Sequence, residues 1–270
     1  MQILVNPKKS LGQNFLVDKN IVNKIIKIGN INKNKLVLEI GSGYGHLTES
    51  IIAAGPKEIL SVEKDKNLSK HLKEKFKGYK KIKIINQDIL KLLEKNNFKS
   101  NYTIFGNLPY NVSTQILASL IMQKKWPPWY DVLILMFQKE VADRIMAKTN
   151  TKDFSRLTIL ANWRLDIKKH FDVSRNSFLP KPKINSTILS FRPKKFNQFN
   201  LKNPKNLETI TRIFFSNRRK MINKCFNRLF GKNMFLINKL NIDLQQRPEN
   251  LSKETYYKIA MEYEKLFNQV

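Results

Sequence analysis

The apolar positions of this chain fall into two rhythms. From residue 36 to about residue 195, short and nearly all-apolar runs alternate with segments whose apolar residues recur at intervals of three and four. "KLVLEIGSGYGHLTESIIAAG" reads as a buried strand, a glycine turn and a helix. "EILSVEKD" is a second strand, and "KNLSKHLKEKFKG" a helix ended by Gly78. "KIKIINQDIL" is a third strand, "YTIFGNLPY" a fourth with a helix from Ser113, and "YDVLILMFQKEVADRIMAK" a fifth that runs into a helix. "HFDVSRNSFLPKPKINSTILSFRPK" predicts two strands around a proline-stiffened loop. Strands that are apolar on both faces and alternate with helices predict a parallel sheet covered on both sides. Ahead of them, Asp18 is placed to cap a helix over "KNIVNKIIKI".

The rhythm changes at "RPKKFNQFNLKNP", after which only helical patterns follow. In "RRKMINKCFNRLFG", Met221, Ile222, Cys225, Phe226, Leu229 and Phe230 are expected on one face, Lys220, Lys224 and Arg228 on the other, with Gly231 as C-cap. In "LSKETYYKIAMEYEKLF", Ser252 is placed as an N-cap, with Leu251 and Tyr256 as a hydrophobic staple. The predicted architecture is an α/β domain over residues 1–195 and a small all-α domain over 196–270.

Composition adds a partner class. Apolar residues make up 41% of the 270, enough to build a core, and no apolar run approaches a membrane span. The opening "MQILVNPKKS" lacks the charged-then-apolar order of a signal peptide. The single cysteine, Cys225, excludes an internal disulfide and a multi-cysteine zinc site, and the expectation is a cytoplasmic, reducing location. A formal charge of +29 suggests a polyanion such as nucleic acid. The wealth of Lys, Asn and Ile is also what an AT-rich genome produces unselected.

Gly41, Gly43 and Gly45 sit at a strand-to-helix turn, where open α/β sheets bind ligands. A dinucleotide fingerprint needs its third glycine at the position of His46, and no phosphate-cradling lysine follows. What remains is Glu39 before the turn, Glu63 closing the next strand and Asp88 closing the third. A carboxylate at a strand end accepts both hydroxyls of a ribose, and Asp88 is placed to accept from an adenine amine. Singly, each acid reads equally well as a solvated strand end or helix cap. In order, the three fit a ligand with an adenosine and a positive charge, such as S-adenosylmethionine.

"FGNLPYNVST" ends the fourth strand with an amide, a proline turn and an aromatic ring. Pro109 cannot continue a ladder and bars its predecessor from helical geometry, so carbonyls here are free to face a ligand. An adenine amine is a poor nucleophile because its lone pair is delocalised into the ring. The Asn107 side chain and the Leu108 carbonyl can accept from its two hydrogens, and Tyr110 can stack on the base. Alone, the motif also reads as a proline turn capped by asparagine.

These motifs together resemble the small-subunit rRNA adenine dimethyltransferase family nearly end to end. "KKSLGQNFL", "VLEIGSGYGHLT", "VEKD", "QDIL", "GNLPYNVST", "FQKEVADRI", "SRLTIL" and "FLPKPKINSTIL" follow in the family's order, and "FFSNRRKMINKCF" and "RPENLS" extend the likeness into the helical part. The resemblance implies a Rossmann-like methyltransferase sheet and S-adenosylmethionine-dependent dimethylation of two adjacent adenines near the 3′ end of 16S rRNA, by a monomer acting on the 30S subunit. It implies cofactor contacts from Gln13, Asn14, Leu16, Glu39, Gly41, Gly43, Gly45, Glu63, Lys64, Asp88, Ile89 and Asn107. It implies a target-base site of Asn107, Leu108, Pro109 and Tyr110, with Phe178 over the base. Lys220, Lys224 and Arg228 become candidate rRNA contacts, or else a solvated face. No metal site is expected, and His46, His71 and His170 lack ligand spacing. Gln115 stands where the family often has proline, and Ser155 where glycine is usual.

Two rivals share these features. A large-subunit rRNA methylase of the resistance type has the same core but resembles the C-terminal motifs less. An RNA-binding assembly or transcription factor that kept the fold and lost catalysis would not need Glu39, Glu63, Asp88 and N-L-P-Y intact.

Overall fold

The computed structural model describes residues 7–8, 12–95, 98, 101–196 and 198–267. Residues 9–11 of the "KKSLGQNFL" motif lie outside the described residues. In chain order the elements are β1 (Phe15–Leu16), α1 (Lys19–Gly29), β2 (Leu36–Ile40), α2 (His46–Ala53), β3 (Glu58–Glu63), α3 (Lys66–Lys75), β4 (Ile82–Asn86) and α4 (Ile89–Lys95). There follow β5 (Tyr102–Asn107), α5 (Ser113–Ile121), β6 (Tyr130–Gln138), α6 (Lys139–Met146), α7 (Arg156–Arg164), β7 (Leu165–Val173), β8 (Phe178–Leu179) and β9 (Ser186–Pro193). Four helices close the chain: α8 (Lys205–Phe215), α9 (Asn223–Phe230), α10 (Met234–Leu240) and α11 (Lys253–Phe267).

The first compact unit holds a seven-stranded sheet in the order β4-β3-β2-β5-β6-β9-β7. Strands β2 to β6 are mutually parallel, as their doubly apolar runs predict. The exception is β9, which runs antiparallel to β6 with Gln138 opposite Ser186. An apolar strand reads the same in either direction, so the sequence pattern does not reveal this reversal. The chain moves outward from β2 to β4 and then returns to place β5 on β2's other side. Right-handed crossovers therefore send the connecting helices to opposite faces, and a crevice opens at the carboxyl ends of β2 and β5.

The core is built from fully buried Val37, Ile51, Phe105 and Ile134, with Ile25 from α1. Each such side chain contributes about 1.5–3 kcal/mol by leaving water. Asp18 caps α1 by accepting from the backbone of Asn20 and Ile21. Gly29 is the last residue of α1, where a Cβ would run into the Phe105 ring, and Asn30 caps the helix in the left-handed region. Helix α3 stops at Lys75, three residues before the expected Gly78, with Phe76 as its C-cap.

The second unit comprises residues 121–126, 143–166 and 194–270. It therefore takes α7 and its approach from the stretch that the sequence rhythm assigns to the first domain. In it α11 packs against α7, α8 and α10, burying Phe214, Tyr256, Tyr257 and Ile259. The Tyr257 hydroxyl donates to the Ile159 carbonyl at 2.9 Å, which ties α11 to α7. Arg164 lies between the rings of Trp126 and Trp163 and donates to the carbonyls of Ile121 and Gln123. These bonds explain why that short stretch belongs to the helical unit. Ser252 accepts from the Thr255 backbone, and Gly231 closes α9 with φ +66°. Met221 departs from expectation: it precedes α9 and is 52% exposed, so the buried face is Ile222, Cys225, Phe226 and Leu229. Among the described residues no helix is long and apolar enough to cross a membrane.

Candidate active site

All the strand-end residues singled out above lie at the carboxyl edge of the parallel sheet in the first unit. A cleft of about 910 Å³ opens there, lined by Gln13, Asn14, Gly41, Gly43, Glu63, Lys64, Asp88, Ile89 and the whole Asn107–Tyr110 turn. A smaller recess of about 480 Å³ shares Phe15, Gly41, Gly43 and Asn107 with it, and adds Leu16, Glu39 and His46.

The glycine turn is tied down by one acid, Glu63. Gly41, Gly43 and Gly45 have φ of +74°, +56° and +83°. At Gly43 a Cβ would lie 2.8 Å from the Phe15 ring, so a larger residue fails on both conformation and space. Glu63 ends β3 and accepts from the backbone of Gly43 at 2.9 Å and of Asp65 at 2.8 Å. One carboxylate thus ties the β2–α2 turn to the β3–α3 turn. Burial raises its pKa, against these backbone donors, which lower it. Asp88 is differently placed. Burial pulls its pKa up, but the Lys64 ammonium at 2.8 Å and the Leu90 backbone donor outweigh it, leaving the carboxyl below its ordinary value.

Glu39 is the unusual group. It is 1% exposed, and one oxygen accepts from Thr48 at 2.6 Å. Its other oxygen, Oε1, is buried without a hydrogen-bond partner among the described residues. Burial pushes this carboxyl up to about 7, while Thr48 and Ser42 pull it down and Glu63 adds a small upward push. An unpartnered buried oxygen is costly unless a ligand completes it.

The turn after β5 is anchored by its own amide. Asn107 Nδ2 donates to the Asn14 carbonyl at 2.9 Å. That bond fixes which end of the amide is which and leaves Oδ1 as the acceptor. The Pro109 carbonyl accepts from Val112 and the Tyr110 carbonyl from Ser113, so the chain turns directly into α5. The Tyr110 hydroxyl bonds to Ser186 Oγ at 2.6 Å.

Four expected residues stand apart, the first being Glu39, which lines the recess and not the cleft. Gly45 lines neither cavity; it caps α2, and a Cβ there would meet Leu72 and Phe76. Leu16 reaches the recess only, and its carbonyl accepts from His46 Nδ1 at 2.9 Å. Phe178 pairs with Leu16 across the β1–β8 ribbon, is 3% exposed and lines neither cavity. Conversely, Phe15 lines both cavities, edge-on to Tyr44 at 4.7 Å, and His46 holds the N-terminal segment. Neither carries a polar spacing signal that sequence reading would single out. In the second unit Lys220 lies in the turn before α9, while Lys224 and Arg228 are exposed on α9, one turn apart.

A family model described as ribosomal RNA adenine dimethylase matches residues 5–265. The chain belongs to the ribosomal RNA adenine dimethylase family. This adenine dimethylase is thus a methyltransferase acting on ribosomal RNA. It is 51% identical over 264 residues to ribosomal RNA small subunit methyltransferase A of Pelagibacter ubique (strain HTCC1062), covering 98% of this chain and 99% of that one. The protein of the same name from Wolbachia sp. subsp. Drosophila simulans (strain wRi) is 37% identical, covering 98% and 97%. Among solved structures, a dimethyladenosine transferase from Plasmodium falciparum superposes with TM-score 0.78 at 26% identity, over 93% of this chain and 98% of that one. The 23S rRNA methyltransferase ErmE gives 0.66 at 20% identity over 93% and 99%, a likeness of fold.

The dimethylase absorbs both of its sequence departures. Ser155 has φ −153°, an extended conformation open to any residue, and its backbone N–H donates to Thr158 Oγ1 at 3.0 Å to cap α7. Gln115 sits exposed in the first turn of α5, where proline and glutamine are both tolerated.

Proposed function

We propose that this adenine dimethylase takes methyl groups from S-adenosylmethionine and places them on the exocyclic amines of two adjacent adenines near the 3′ end of 16S rRNA. On this reading it works as a cytoplasmic monomer on the 30S subunit. The observation that carries the reading is the Asn107 amide. It stands at the end of β5 with its donor committed to Asn14, in the same cleft as the glycine turn.

The residues present fit the donor. Glu39 Oε1, buried and unpartnered among the described residues, suits an ammonium group, and Glu63 keeps lone pairs for ribose hydroxyls beyond its two backbone bonds. Asp88 and Ile89 line the same cleft, and on this reading they take the edge and the face of the adenine. When bound, the donor supplies an electrophilic methyl group on a sulfonium. Asn107 Oδ1 and the Leu108 carbonyl accept from the two hydrogens of the target amine and turn its lone pair towards that methyl. Tyr110 stacks on the base and fixes its plane. No general base is required, because the amine proton becomes acidic once the nitrogen carries positive charge, and water removes it. The rate comes from positioning and from hydrogen bonds that strengthen as the amine becomes cationic.

Glu39 gives this proposal a pH signature. In the free protein the carboxyl is half neutral near pH 7. An adjacent ammonium favours the carboxylate, so binding lowers its pKa and releases a proton. Donor affinity is therefore expected to rise with pH up to about 7, by up to about tenfold per unit, and to level off above it. Calorimetry across pH 5.5–8.5 reads the slope, and Glu39→Gln should flatten it.

The basic stripe is the proposed rRNA contact. Substrate binding should weaken steeply with salt as phosphate neutralisation releases counterions. Charge reversal at Lys220, Lys224 and Arg228 should lower that slope by about 0.9 or less for each phosphate no longer neutralised, with donor affinity intact. An unchanged slope assigns the stripe to solvent. The substrate itself is tested with labelled methyl donor on undermethylated 30S and 50S particles. Label in 30S alone supports the proposal, whereas label in 50S favours the large-subunit rival.

A further inference from the structure

Strand β9 runs opposite to its neighbours, and this brings its first residue to the site. Because β9 is antiparallel to β6, its start lies at the carboxyl edge of the parallel strands, where the ends of β2, β3 and β5 meet. The register is explicit: Asn107 of β5 lies opposite Met136 of β6, and Ser186 lies opposite Gln138, two residues further along β6. Tyr110, three residues beyond Asn107, therefore meets Ser186 across the edge, and their hydroxyls share a hydrogen bond of 2.6 Å.

Ser186 is fully buried and belongs to the sheet, whereas Tyr110 sits half-buried in the turn that lines the cleft. The residue before Ser186 is also fixed, since the Asn185 carbonyl accepts from the Lys139 backbone at 3.0 Å. The bond thus joins a side chain of the turn to a residue of the sheet. A tyrosine ring held only at Cβ keeps two side-chain torsions. Fixing the hydroxyl at the far end removes both. Burial raises the phenol pKa, against the Ser186 hydroxyl, which lowers it, so the group remains a neutral hydroxyl able to keep the bond.

We propose that Ser186 is a positioning residue for methyl transfer: it clamps the Tyr110 ring and thereby sets the plane in which the target adenine stacks. The inference rests on the reading of Tyr110 as the stacking platform. The consequence is specific. A freed ring still stacks on a base, so RNA binding persists. The amine lone pair then samples a wider cone about the methyl direction, and the loss falls on the rate of the bound complex rather than on its formation.

The test is a double-mutant cycle of single-turnover methyl transfer under saturating donor and RNA. Ser186→Ala and Tyr110→Phe are each expected to slow transfer by about tenfold, the equivalent of one neutral hydrogen bond. The double variant should be no slower than either single, and Ser186→Thr should recover most of the rate. The concentration of RNA giving half-maximal rate should stay within about twofold, as should donor affinity of Ser186→Ala. Tyr110→Phe leaves Ser186 in its strand, so it reads the clamp even where Ser186→Ala unfolds. Strictly multiplicative losses, or full-rate transfer by Tyr110→Phe, would overturn the clamp. Tyr110→Ala separates this from the underlying reading: wild-type transfer by that variant removes Tyr110 from the base site altogether, while slow transfer by it beside a full-rate Tyr110→Phe removes only the clamp.

Discussion

Asn107→Ala is expected to reduce single-turnover methyl transfer by about 10²–10³-fold, the usual effect of deleting one preorganised hydrogen-bonding group aimed at developing charge. The protein should remain folded and bind RNA, since Asn107 is partly exposed at a strand end and buries little apolar surface. Asn107→Asp is the sharper variant. It preserves size and an acceptor, so a pure acceptor role would leave partial activity. Here Nδ2 donates to the Asn14 carbonyl at 2.9 Å. A carboxylate in its place would set two acceptors against each other and swing the turn away from the N-terminal segment. The aspartate is therefore expected to be as slow as the alanine. Rapid-quench assays with saturating donor read both variants, and near wild-type transfer by Asn107→Ala would return N-L-P-Y to being a proline turn.

The second large effect is on donor binding. Glu63→Ala should weaken it by about 1.5–3 kcal/mol, on the order of 10- to 150-fold, because a charged acceptor is removed and the Gly43 and Asp65 donors are released. Glu63→Gln should recover little of this. Its amide has one acceptor oxygen, while both carboxylate oxygens of Glu63 already receive a backbone donor, so one N–H would face an NH₂. Titration calorimetry decides, and unchanged affinity in Glu63→Ala removes this residue from the site.

Much of this was legible in the residues. The alternation of doubly apolar runs with helical patterns marks the parallel sheet. The glycines and the acids mark the carboxyl ends of β2, β3 and β4, since chemistry of that kind is needed only where strands stop. What stayed hidden has physical causes. The reversal of β9 is invisible because apolar alternation carries no direction, and with it the arrival of Ser186 beside Tyr110 is invisible too. A serine at a strand start has no spacing signal of its own. The location of Phe178 depends on the two-residue β1–β8 ribbon, which is too short to show a period. The helical unit draws in α7 through long-range bonds such as Tyr257 to Ile159, which no local pattern encodes. Lys220 shares helical spacing with Lys224 and Arg228, yet α9 begins only at Asn223, because spacing alone does not say where a helix starts.

The identity of the modified atoms is read by mapping. Undermethylated 30S subunits would be incubated with the purified protein and labelled methyl donor, and the rRNA digested to fragments and nucleosides. The expected product is N6,N6-dimethyladenosine at two adjacent adenines in the 3′-terminal fragment of 16S rRNA, absent with Asn107→Ala. Label on another base, or on adenines elsewhere in the rRNA, would contradict it.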